Sequence, residues 1–325
     1  MHTHRITFVA FVALSLATST SLISQSQAPS QPDRLTVMGV GAFPPTENLT
    51  AGRSAPDAVA LGLASAKVYR FATADYPGAS QSLVFDENTS TSTVVGDSKL
   101  TNSFGFTLHG GAYTAFSVPG STSNLTTGIN TSGEVVGVYT DQQGNTLGFL
   151  DNGGTFTTLD LSGASVTQPT DINDSGEIVG EFQDALGVHG FLTLDNGTTF
   201  TELDAPGATS TQAGGLNTAG VIVGAWIDAS GKNHGFIYKG GTFTSLDLPL
   251  ATGTVAIGIN DSNKIAGYFT DASNMRHGFI YFDGAFTQVD VVGASGTQLT
   301  RIKNKGQITG AYNDSLSEQH GITGH

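Results

Sequence analysis

The sequence predicts an all-β repeat protein, and three sets of residues returning at one period carry that prediction. Gly-Phe falls at 105–106, 148–149, 190–191, 235–236 and 278–279, with Gly321-Ile322 as a sixth copy. An aromatic opens the closing segment of each unit at Phe71, Tyr113, Phe156, Phe200, Phe243 and Phe286. A further glycine stands at 137, 180, 224, 267 and 310, inside stretches such as "IVGEF" and "IAGYF". All three markers step by 42 to 45 residues. Self-similarity at a fixed period defines a repeat architecture.

In chain order, residues 1–28 read as an export signal. Arg5, with His2 and His4, precedes the apolar run "ITFVAFVALSLA" (6–17), and small polar residues follow. That run falls short of the ~20 residues that cross a bilayer. Cleavage fits after Ala17-Thr18-Ser19 or after Ser26-Gln27-Ala28, the second disfavoured by Pro29. A retained anchor or a buried helix is the alternative. Residues 29–65 read as a linker, because five of the ten prolines lie there and proline interrupts helices and sheet ladders alike. Residues 66–325 form the repeat domain.

Each unit reads as four short strands. "TTGIN" (126–130) leads, the turn "NTSG" (130–133) follows, and "EVVGVYTD" (134–141) is the second strand. The turn "DQQG" (141–144), then "TLGFLD" (146–151), a Gly-rich turn and "TFTTLDL" (155–161) complete it. Alternating apolar and polar positions, with aromatic and β-branched side chains, favour strand. Asn or Asp at the first turn position and Gly at the fourth suit a type I turn.

Four strands in about 43 residues, repeated, are the signature of β-propeller blades. The sixth unit lacks its fourth strand, since the chain ends three residues after Ile322. The missing strand stands at the front, as "VYRFATAD" (68–75), whose Phe71-to-Asp75 spacing matches Phe156–Asp160 and Phe200–Asp204. The expected fold is therefore a six-bladed β-propeller, closed when strand 68–75 completes the C-terminal blade. An open solenoid is the alternative, with polar caps at its ends.

"INDSGEIVGEF" (172–182) with "HGF" (189–191), and "INDSNKIAGYF" (259–269) with "HGF" (277–279), resemble the HAF family of extracellular repeats. The family's His-Ala-Phe triplet has Gly in its middle here, and Phe104 and Leu147 replace the His in two units. The resemblance covers about residues 68–325 and implies an exported protein, extracellular or periplasmic. It implies no particular activity.

Composition excludes several classes. With 27 acidic against 13 basic residues and no Lys/Arg cluster, nucleic acid and anionic membrane surfaces are poor partners. The chain has no cysteine, so burial must hold the domain without disulfides. No zinc-protease His-Glu-x-x-His, phosphate-binding Gly-rich loop or Gly-x-Ser-x-Gly elbow occurs.

The recurring His189, His234, His277 and His320 invite a metal reading. Equivalent residues on neighbouring blades stand roughly 10 Å apart, whereas zinc ligands lie about 2 Å from the ion. A structural role is expected, with the imidazole bonding backbone at a turn, and no metal. Asp141, Asp184, Asp228, Asp271 and Asp314 read as turn caps rather than calcium ligands. Asp75, Asp160, Asp204, Asp247 and Asp290 read as strand-end turn residues. Tyr139, Phe182, Trp226, Phe269 and Tyr312 read as a packing layer between blades, or as a sugar-stacking platform where they reach the rim.

Departures from the repeat carry the functional signal. Before the Ile or Leu of the leading strand stand Gly128, Asp171, Gly215, Gly258 and Arg301, so two channel positions are charged. In a six-membered ring Asp171 and Arg301 face each other, and Lys303 replaces the Asn found at 130, 173, 217 and 260. The expected ligand site is this channel mouth, with Arg301 and Lys303 holding a small polar or anionic group and Asp171 opposing. The alternative is that these charges are merely solvated. The first blade is too irregular to align its channel residue. The whole reads as a monomeric, non-enzymatic binding module for glycan or protein surfaces, without cofactor. The competing classes are a polysaccharide-acting enzyme with its site at the channel mouth, and a purely architectural surface protein.

Overall fold

The computed structural model describes residues 69–99 and 103–324, with two short strands at Leu35–Thr36 and Gly39–Phe43. The expected signal sequence lies outside these residues. Every regular element described is a strand. Six sheets recur in order, led by Gln81–Asn88, Ser123–Ile129, Val166–Ile172, Ser210–Leu216, Gly253–Ile259 and Gly296–Ile302. Within the stretch expected to be a linker, Leu35–Thr36 pairs with Arg70–Thr73, and Gly39–Phe43 pairs with Ala285–Val289. That stretch therefore contributes outer strands to two sheets.

Turn chemistry sets each hairpin. In sheet 2, Gly133 N donates to the Asn130 carbonyl at 3.1 Å, and Asn130 N donates to the Glu134 carbonyl at 3.1 Å. Gly133 sits at φ 88°, so the hairpin is a type I turn followed by a left-handed residue. In sheet 5 an asparagine, Asn263, fills that place at φ 60°, one of the few non-glycine types that tolerate it.

Two of the repeat's markers are halves of a single contact. A Cβ on Gly224 would lie 2.6 Å from the Phe236 ring and 2.1 Å from the Gln212 carbonyl oxygen. Gly96, Gly137 and Gly180 meet Phe106, Phe149 and Phe191 in the same way. Those rings are almost wholly buried, and apolar clusters run between adjacent sheets. One joins Leu150 and Leu159 of sheet 2 to Ile178 and Phe191 of sheet 3.

The leading strand of every sheet carries a register shift, as between Thr126 and Gly128 or Leu299 and Arg301. A bulge leaves one residue unpaired and re-aims its neighbours. The skipped residue reaches the next sheet: Thr127 Oγ1 donates to the Pro169 carbonyl at 2.9 Å, and Thr170 Oγ1 to that of Ala213 at 2.7 Å. Thr300 Oγ1, in sheet 6, donates likewise to the Val84 carbonyl of sheet 1 at 2.9 Å. Arg70–Thr73 pairs antiparallel with Gln319–Gly324, through Thr73 and Ile322, Ala72 and Thr323, and Phe71 and Gly324. The front strand thus lies beside the tail, as its sequence spacing predicts.

Candidate functional site

At the centre lies a cavity of about 70 Å³ with walls from all six sheets, and Asp171, Arg301 and Lys303 all line it. The structure therefore brings the three predicted residues together. It also supplies the missing channel residue of the first sheet. The bulge between Val84 and Asp86 aligns Asp86 with Gly128. The signal was present: Asp86 stands 42 residues before Gly128, as Asn88 does before Asn130.

The charges pair with one another. Arg301 Nε lies 3.3 Å from Asp171 Oδ1, and both side chains are about 95% buried, at 5% and 6% exposure. This is an ion-pair contact whose angle makes no hydrogen bond, and Arg301 Nε has no hydrogen-bond partner. The rest of the guanidinium donates to carbonyls, with Nη1 reaching Thr300 at 2.8 Å and Nη2 reaching Thr170. Asp171 accepts backbone N–H groups from Ile172 at 3.0 Å and Leu216 at 3.1 Å. Burial pushes the Asp171 carboxyl up; Arg301 and Lys303 pull it down and Asp86 adds to the rise, and the net shift is upward. Lys303 Nζ lies 2.6 Å from Oδ1 of the fully buried Asp86. An anion arriving here competes with two carboxylates that already face both cations.

Glycine at the other channel positions makes room for these side chains. A Cβ on Gly215 would meet Asp171 Oδ2 at 3.1 Å, and one on Gly258 would meet Arg301 Cδ at 2.9 Å. Above the charges runs a belt of carboxamides. Asn88 Nδ2 donates to the Asn130 carbonyl at 2.8 Å, Asn173 Nδ2 to that of Asn217 at 3.1 Å, and Asn260 Nδ2 to that of Lys303 at 3.1 Å. Lys303 breaks the belt and reaches Asp86 instead.

The opposite end carries the histidines, and here one expectation is corrected. The imidazoles bind carboxylates, not backbone. His234 Nδ1 lies 2.9 Å from Asp247 Oδ2 and Nε2 3.2 Å from Asp228 Oδ2. His277 and His320 repeat the arrangement with Asp290 and Asp271, and with Asp75 and Asp314. The reason is register: each His sits beside the fourth strand, whose terminal Asp projects over it. The aromatic layer packs between sheets as expected, Phe182 in one cluster with Leu150 and Leu159 of sheet 2 and Phe269 in one with Val221 and Leu246 of sheet 4, and four of its rings also stack on histidines. Trp226 is the cross-strand partner of His234, and their rings stack at 4.5 Å and 21°; Phe182, Phe269 and Tyr312 stack on His189, His277 and His320. The turn caps are present as expected, with Asp141 Oδ1 accepting Gln143 N and Asn145 N at 2.8 Å each. Two groups have metal-ligand chemistry, His189 with Glu202 and Asp204, and Asp314 with Glu318 and His320, each with ligand atoms within 4.8 Å. Each lies within one sheet's edge; neither gathers histidines across the ring.

Two buried acids sit on second strands. Burial pushes Glu181 up to about 7, against the opposing hydrogen bond from Gln212, and pushes Asp97 up to about 7. His320 is raised: burial lowers it, but Asp75 and Asp314 together outweigh that. The signs agree. A carboxyl raised on folding is protonated in the folded chain while the unfolded one is ionised, so stability falls as pH climbs from 4.5 through about 7. A raised histidine contributes fully below 6.5 and loses its contribution above its folded value. Thermal melting followed by circular dichroism should therefore show a midpoint that drops between about pH 5 and about pH 8. In Glu181→Gln the drop between 4.5 and 7 should shrink; an unchanged slope would contradict the assignment.

Six units of four strands, two of them extended by an outer strand, arranged about a common centre are the architecture of a β-propeller. Among solved structures, AofleA from Arthrobotrys oligospora is similar at a TM-score of 0.52 and 11% identity, over 77% of this chain and 85% of that one. TolB from Acinetobacter baumannii gives 0.50 and 11%, over 76% and 64%. A fungal lectin from Aleuria aurantia, described as a six-bladed β-propeller with a novel fucose recognition mode, gives 0.48 and 11%, over 77% and 93%. At such identity the likenesses to AofleA and TolB bear on fold alone. No protein-family profile matches the chain, and no curated protein matches it.

Proposed function

We propose that the chain is an exported, monomeric six-bladed β-propeller of HAF-type repeats, closed by its N-terminal strand, that acts as a binding module for glycan or protein surfaces. The observation that carries this reading is a variable rim on a uniform frame. Beneath the rim the same bonds recur from sheet to sheet, such as Leu161 N to Thr167 Oγ1, Ala205 N to Thr211 Oγ1 and Leu248 N to Thr254 Oγ1, each at 3.0 Å. At the end bearing the histidines, side chains between these fixed points vary, as in the turns that carry Gln142-Gln143 in sheet 2, Ala185-Leu186 in sheet 3 and Ala229-Ser230 in sheet 4. Leu186, Leu250 and Leu316 project there at 87%, 98% and 78% exposure. The channel mouth, with Lys303 its most accessible cation, is the second place where a small anion could be met.

The test is a glycan array together with pull-down by the intact chain. Saturable capture of a glycan class or of a defined protein supports the module. Turnover of a polysaccharide by the pure protein would replace it with the enzyme reading.

A further inference from the structure

Between sheets 5 and 6, at the rim bearing the histidines, lies a second cavity of about 160 Å³. Small side chains leave it open. Beside Gly310, sheet 6 has Ala311, where sheets 1, 3 and 5 have Asp97, Glu181 and Tyr268 and sheet 4 has Ala225. At the head of its leading strand it has Gly296, as sheet 5 has Gly253, where sheet 3 has Val166. A Cβ on Gly296 would find nothing closer than 3.7 Å, so the space is open rather than demanded by packing. A departure from the repeat faces it. Arg276 stands where sheets 1 to 4 have Ser103, Thr146, Val188 and Asn233, none of them charged.

The Arg276 side chain is held in place. Its guanidinium lies 4.8 Å from the centre of the Tyr268 ring, and Nη1 donates to Gln298 Oε1 at 3.2 Å. Stacking on an aromatic face fixes the plane of the five-donor fork. The remaining wall is amide and hydroxyl in character: Gln298, Asn313 and Gln319 can each donate and accept, and Tyr312 supplies a ring. Arg276 is the lone charged residue lining the cavity. Just outside it, Asp271 and Asp314 cap the adjoining turns and hold their carboxylates below the ordinary range, Asp271 through the Met275 amide and Asp314 through the Glu318 amide. These carboxylates disfavour an anionic guest.

We infer that this pocket between sheets 5 and 6 binds one uncharged sugar ring, with Arg276 and Gln298 bonding a pair of neighbouring hydroxyls. Planar guanidinium and carboxamide groups match the paired donor and acceptor character of vicinal hydroxyls. The inference rests on the glycan arm of the proposed function and gives it a place and a ligand class.

The experiment is calorimetric titration of the intact protein with methyl glycosides of neutral hexoses and 6-deoxyhexoses, and with methyl glucuronide as the charged counterpart. A neutral glycoside should bind, and glucuronide should bind more weakly. Arg276→Ala should weaken the neutral glycoside about tenfold, and Gly296→Val, which restores the residue type sheet 3 carries, should abolish binding. Should Gly296→Val fail to fold by circular dichroism, the exposed Arg276→Ala alone decides. Binding unchanged in the variants overturns this pocket while leaving the glycan module intact. If no neutral glycoside binds, the inference is overturned, and the protein pull-down then judges the module separately.

Discussion

Replacing Arg301 with glycine is expected to cost about 3–5 kcal/mol of stability, measured as a lower urea midpoint at unchanged slope. Glycine is what the repeat carries at 128, 215 and 258, so backbone geometry is not the difficulty. The loss comes from Asp171, left buried with no guanidinium beside it. Asp171→Gly in the same chain should recover most of that loss, because removing both members of a buried pair is far milder than removing one. If the double variant proves as unstable as Arg301→Gly alone, the pair at the channel mouth is not what the missing cation sustains. The comparison also bears on ligand binding, since a channel mouth kept for an anion would be filled, and stabilised, by added phosphate in the Asp171→Gly single variant.

The second large effect is expected at the glycine–phenylalanine contact. Phe236→Ala should lose about 3–5 kcal/mol, the usual result of emptying a buried aromatic site. Phe236 is 1% exposed and packs with Val179, Leu203 and Ile222, so truncation opens a cavity between sheets 3 and 4. Gly224→Ala should be damaging for the opposite reason. Its Cβ would press on the Gln212 carbonyl as well as the Phe236 ring, and a backbone atom cannot rotate away. Combining Gly224→Ala with Phe236→Leu should therefore relieve only part of the damage. Full recovery in chemical denaturation would mean that the ring, not the carbonyl, sets the need for glycine.

The repeat was legible because packing enforces it. Gly224 recurs because a Cβ there would press on a backbone carbonyl as well as on the Phe236 ring, and that demand, repeated in each sheet, writes a period into the sequence. The facing of Asp171 and Arg301 was legible by counting units around a ring. Their contact was not, since it depends on how far Gly128, Gly215 and Gly258 let the leading strands approach the axis. Asp86 is hidden because "SLVFDENTSTST" lacks the Ile-Asn or Leu-Asn ending of the leading strands in sheets 2 to 5 and keeps only its distance to the next unit, while the VVG that follows does match. The carboxylate partners of the histidines were in view as repeated aspartates, but their pairing needs the third-to-fourth strand register, which spacing alone leaves open. The pocket between sheets 5 and 6 is defined by side chains too small to fill a space, and absence of volume has no motif.

The pairing of Arg70–Thr73 with Gln319–Gly324 has a consequence for biosynthesis. Gly321 N donates to Asp75 Oδ1 at 3.1 Å across 246 positions of chain, so the strand Arg70–Thr73 is made long before its neighbour Gln319–Gly324. Until then its hydrogen-bonding edge is open, and contacts so distant in sequence form slowly. A stop upstream of residue 319 would leave that edge without the partner it has in the folded chain.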